Sequence, residues 1–124
     1  SSVDARSTLQ IIEHIYSLTE MISSSFKNNE FEFKIVDDTF SELRKKTLLN
    51  LKYLQGELKS NPDFSQLSLR FESGGTKMEF PFWNQINGPI SDALWHCGQI
   101  VMNRRASGNP LQSGVNVFIG KTSY

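Results

Sequence analysis

The chain has a single cysteine, Cys97, among its 124 residues, which excludes an intrachain disulfide framework and fits a reducing compartment. No excess of charge of either sign exists, since 13 basic residues balance 13 acidic ones. The overall field that draws proteins to phosphate backbones or anionic lipid is therefore missing, so neither nucleic acid nor a membrane is an expected partner. No apolar run approaches the roughly 20 residues needed to span a bilayer. The first residues also lack the basic-then-apolar layout of a signal peptide, so the expected location is cytoplasmic. Internal repeats and low-complexity stretches are absent. Histidine is scarce too: His14 and His96 are the only two.

What is present suits one modest core, and residues 1–124 are expected to form a single, mainly α domain. From Leu9 to Phe26 the apolar residues Leu9, Ile12, Ile15, Tyr16, Met21, Ile22 and Phe26 recur at helical spacing, and Ile11 and Leu18 widen the stripe. That pattern predicts a helix buried over much of its circumference. Asp4 or Ser7 is placed to cap its start, Ser7 having Gln10 three residues on, and Asn28-Asn29 marks its exit. A second helix is signalled by the capping-box pattern Thr39-Phe40-Ser41-Glu42, with Phe40, Leu43, Thr47, Leu51, Leu54 and Leu58 on one face and an end before Asn61-Pro62. Arg44, Lys45, Lys46, Lys52 and Lys59 then cover its solvated side.

Strict alternation follows: Leu67, Leu69 and Phe71 stand before Gly74-Gly75, and Met78, Phe80 and Phe82 after it. This predicts a β-hairpin turning within 72–76 that lays its apolar face on helices, since two strands alone are marginal in water. The last helix carries Asp92 to Ala106 and ends where Gly108 can take the left-handed cap and Pro110 cannot continue. Either Asn87-Gly88-Pro89 begins it, with Pro89 in the first turn, or Pro89 kinks a helix begun near Phe82. Val115, Val117 and Ile119 alternate in a short extended tail. The helices are expected to pack antiparallel, with Leu9, Ile12, Leu43, Leu51, Leu54, Leu94 and Val101 in one core.

On the last helix, Asp92, His96, Gln99 and Asn103 stand at i, i+4, i+7 and i+11, which makes one polar row between apolar flanks. Such a row is either a solvent face or the lining of an interior site. An Asp and a His one turn apart have Cβ atoms about 6 Å apart and can reach one ion. His14 is the only other imidazole. It is either a hydrogen-bonded core residue or a third ligand from a second helix.

The run Asp92-Ala93-Leu94-Trp95-His96-Cys97-Gly98-Gln99-Ile100 resembles the last-helix signature of the DinB-like (DNA-damage-inducible) metal-binding family. There a His-x-x-x-His pair is followed by one residue and then Gly-Gln-Ile or Gly-Gln-Leu. Ser7-Thr8-Leu9-Gln10-Ile11-Ile12-Glu13-His14-Ile15 is similar to the family's earlier helix, which supplies another His. The resemblance implies an antiparallel four-helix bundle with a divalent metal near one end, held here by His14, Asp92 and His96, with Gln99 orienting a ligand from behind. Asp92 stands where the family usually has its first His. An anionic oxygen there makes the site harder and favours Zn, Fe or Mn over Ni.

Some members of the family transfer low-molecular-weight thiols or isomerise thiol adducts. A metal-dependent enzyme acting on a small-molecule substrate, by thiol transfer or metal-assisted hydrolysis, is therefore the expected function. The competing expectation is a non-catalytic helical binding module with a structural metal or none. Three main helices can be found here where the family has four, so the first is expected to precede Ser1, or a homodimer to cover the exposed flank. Three other features are read as carrying no chemistry. Gly120-Lys121-Thr122 lacks the upstream glycine and following helix of a phosphate loop. Cys97 points about 100° around the helix from His96 and is read as a small core residue. Arg104-Arg105 complements the helix dipole.

Overall fold

The computed structural model describes residues 5–60 and 63–122. Ser7 caps the first helix, α1 (Thr8–Lys27): its side chain accepts from the Gln10 backbone N–H while the Gln10 side chain accepts from the Ser7 N–H, a reciprocal capping box. Of the two cap candidates it is Ser7 that acts, and Asp4 lies outside the described residues. Asn28 closes the helix. Asn29 then takes a left-handed φ of 61°, a conformation that asparagine tolerates better than most residues, and turns the chain into β1 (Glu30–Phe31).

The second helix, α2 (Phe40–Ser60), opens on the expected box, with the Thr39 N–H donating to Glu42 Oε2 at 2.8 Å. Strands β2 (Ser68–Ser73) and β3 (Thr76–Pro81) form the hairpin, and Gly74 and Gly75, at φ 58° and 76°, make its two-residue turn. Both central residues need positive φ there, which glycine adopts without a Cβ penalty. The hairpin does not stand alone. β1 pairs in parallel with β2, giving a three-stranded sheet of order β1-β2-β3. Leu69 is buried, Phe71 stacks on Phe80, and Phe26 of α1 meets Phe64 and Phe82 edge-on, which seats one end of the sheet on the helix.

Before the last helix a short helical turn starts just after Phe82, bends at Gly88 (φ −104°, ψ −109°) and continues through a wide turn, Ile86–Ile90, into α3 (Ser91–Ala106). Pro89 thus follows a kink instead of opening the helix, because it has no N–H to give the ladder. After α3 the chain folds back on itself: β4 (Val115–Asn116) pairs with β5 (Lys121–Thr122), so Val117 and Ile119 sit in an exposed turn and not in an extended tail. Lys121 and Thr122 belong to that small exposed hairpin.

The helix arrangement differs from an all-antiparallel bundle. Tyr16 meets Lys46, Thr19 meets Asn50 and Lys27 meets Tyr53, so residue numbers rise together and α1 and α2 run parallel. The direction is possible because segment 28–39 can return along the helix: α1 is about 30 Å long at 1.5 Å per residue, and twelve extended residues reach about 40 Å. Against α3 the numbers oppose, with Ser25 near Gln85, His14 near Asp92 and Thr8 near Asn103, so this pair is antiparallel. Among the described residues no Cα of α2 lies within 8 Å of one in α3. Among the described residues the three helices form an open layer with α1 in the middle.

That central position explains α1's burial. Ile11, Ile12 and Ile15 pack with Leu43 of α2, flanked by Tyr16, Val36, Ala93 and Ile100. The shared core is therefore narrower than the periodicity suggests: Leu9, Leu51 and Leu94 are exposed, as are Phe40 and Leu58, because no described element covers those sides. Leu43, Thr47 and Leu54 form the buried stripe of α2. Thr47 carries a buried hydroxyl with no protein partner among the described residues. Replacing Thr47 by valine keeps the shape and removes that desolvated group, so it is expected to stabilise the fold by about 1 kcal/mol. A lower urea midpoint for Thr47→Val would contradict this.

Candidate metal centre

The polar row of α3 lies beside α1 and is buried at His96. Asp92, His96, Gln99 and Asn103 run along the seam, and Asn103 Nδ2 donates to Thr8 Oγ1 at 3.4 Å at its far end. His96 is only 8% exposed. The apolar flanks Leu94, Trp95 and Met102 are turned outward instead. The row thus borders the α1–α3 contact, which Ala93 and Ile100 fill with apolar packing against the core.

His14 projects from the middle of α1 into the same seam. Its Nε2 lies 3.0 Å from Asp92 Oδ2, and His96 Nε2 lies 3.3 Å from Asp92 Oδ1, so one carboxylate stands between two imidazoles. The two rings meet edge to face with centroids 4.6 Å apart. One ligand atom from each of the three residues lies within 4.8 Å of the others, a cluster able to hold a metal ion. Metal–nitrogen and metal–oxygen bonds of about 2.1 Å place neighbouring ligand atoms roughly 3 to 3.5 Å apart, so closing this set around an ion needs side-chain shifts of order 1 Å. The structure thus brings together all three residues singled out from the sequence.

Both nitrogens of the His96 ring have polar neighbours: Nε2 lies 3.4 Å from Arg6 Nη1 and 3.3 Å from Asp92 Oδ1, and Nδ1 lies 2.8 Å from Gln99 Oε1. Gln99 thus stands behind His96, where a partner fixes ring orientation. Arg6 gave no sign of itself in the sequence. It precedes the helix cap and belongs to no periodic pattern.

The centre opens on a groove between the start of α1 and the middle of α3, lined by Arg6, Trp95, Gln99, Met102 and Asn103 besides the three candidate ligands. Asp92 and His14 are only part-buried, so the site has an accessible side. Cys97 does not line the groove and is exposed instead of lying in the core. Desolvation by its neighbours holds its thiol pKa above the ordinary value, which keeps it protonated at neutral pH. Arg104 donates to the Asn109 and Pro110 carbonyls and ties down the chain leaving α3, a structural use in keeping with its place at a helix C-terminus.

No family model matches the chain, and neither a curated protein nor a solved structure does. Among the described residues no helix is long and apolar enough to cross a membrane.

Proposed function

We propose that this chain is a divalent-metal-dependent enzyme of the DinB-like type. In this reading His14, Asp92 and His96 hold the ion, and an open position on the groove side takes water or a low-molecular-weight thiol. The observation that carries it is the convergence of two imidazoles and one carboxylate, whose ligand atoms lie within 4.8 Å of one another beside a groove that leaves one side open. Two imidazoles and one carboxylate leave positions free on Zn, Fe, Mn or Ni, and an ion there lowers the pKa of a bound water or thiol enough to make it a nucleophile near neutral pH. Hydrolysis or thiol transfer is the chemistry that follows.

A second reading has one observation in its favour. Among the described residues lining the groove, no acid or base stands apart from the three ligands except Arg6, which cannot accept a proton at neutral pH. A binding module that uses the ion without catalysis fits that lining as well.

Elemental analysis of protein purified without a metal-affinity tag tests the common premise. About one equivalent of a first-row metal per chain is the expected result. Protein that carries none, and whose melting temperature does not move on adding Zn, Mn, Fe(II) or Ni, would sink the metal reading.

A further inference from the structure

We infer that the open side of this centre binds an organic carboxylate, one oxygen on the ion and the other on the Arg6 guanidinium, with the apolar body of the ligand lying on Trp95 and Met102. The inference rests on the metal reading above and goes further by naming the ligand.

Charge is the first argument. A divalent ion held by Asp92 as the only anionic ligand keeps a net charge of +1, and Arg6 adds another. Among the described residues lining the groove, Asp92 is the only acid, and Arg6 is the only basic residue besides the two histidines. No carboxylate among the described residues lies within ion-pair distance of Arg6, whose polar contact is the one to His96. Two positive charges in a cleft with no further anion of the protein select an anionic guest.

Geometry narrows the anion. Arg6 Nη1 is 3.4 Å from His96 Nε2, the nitrogen that would bind the ion, so metal and guanidinium would stand side by side. With an ion on that nitrogen, the Arg6 N–H groups are left to turn to another acceptor. A carboxylate offers two oxygens in a planar fork and can serve both cations at once, whereas a thiolate or hydroxide has a single donor atom and leaves the guanidinium unpaired. The remaining lining settles what the carboxylate is attached to. Trp95 and Met102, two turns apart on α3, expose 73% and 64% of their surface along the groove. They form an apolar platform leading away from the cationic end.

Spectroscopic titration of the Co(II)-loaded protein tests this, with 3-phenylpropionate, acetate and 3-phenylpropanol as probes. The visible cobalt bands should respond to 3-phenylpropionate at concentrations at least tenfold below those needed for acetate, and not to the alcohol. Arg6→Gln should weaken 3-phenylpropionate by about tenfold or more, the size of one charge-assisted hydrogen bond, while binding Co(II) no less tightly than wild type. Trp95→Ala should bring 3-phenylpropionate close to acetate and leave acetate itself unchanged. If the protein binds Co(II) but 3-phenylpropionate acts equally on wild type and Arg6→Gln, or no better than acetate on wild type, the carboxylate site is refuted and the metal centre stands. If no Co(II) is bound, both fall.

Discussion

Replacing His96 by alanine is expected to abolish retention of the ion, weakening it by more than about a hundredfold, because loss of a direct ligand exceeds the 10- to 100-fold typical of the partners behind ligands. His96 is the most buried of the three and the one whose geometry is set from both sides, by Gln99 at Nδ1 and by the Asp92 side at Nε2. Isothermal titration with Zn(II) reads the loss, and circular dichroism checks that the helices remain. Stoichiometric metal retained by folded His96→Ala would show that the ion sits elsewhere. Asp92→His should keep binding and move preference toward softer ions, since it trades an anionic oxygen for a second nitrogen on the same helix face. Competition between Mn(II) and Ni(II) measures that shift.

Leu43→Ala is expected to cost about 2 to 5 kcal/mol, the range for removing a leucine side chain from a closed core. Leu43 is 1% exposed and packs against Ile11, Ile12 and Ile15 at the contact that fastens α2 to α1. That loss is a large fraction of the roughly 5 to 15 kcal/mol that holds a typical domain together. Urea denaturation measures it. Leu49→Ala on the same helix is the control: Leu49 is exposed, and its truncation should change stability by less than about 1 kcal/mol. Equal effects at the two positions would mean that α2 docks through a different face.

These expectations draw unequally on sequence and structure. The ends of α1 and α2 were legible because a capping box is a contract between residues three apart, satisfied locally whatever the helix packs against. The hairpin was legible for the same kind of reason, as two glycines supply the positive φ values that its turn demands. Asp92 and His96 share a face of α3 by helix periodicity alone, and His14 was their candidate companion as the only other imidazole in the chain.

Periodicity could not say which way that face points. A polar row on a helix reads the same whether it meets water or a neighbour, and only the docking of α3 on α1 buried His96 beside His14 and left Trp95 and Met102 outside. The same ambiguity misassigned Leu9, Leu51 and Leu94 to the core: an apolar stripe records what can be buried, and the neighbours decide what is. Helix direction was equally out of reach, because a twelve-residue connector permits either a parallel or an antiparallel partner and carries no local mark of the choice. The two-residue strand β1 is too short to show alternation, and it exists by pairing with β2. Arg6 joins the site through a contact ninety positions away along the chain. Local dihedral and capping preferences were written in neighbouring residues and could be read there. The facing of helices, the edge of the core and the cation beside the centre depend on residues far apart in sequence, and only the folded chain brings those together.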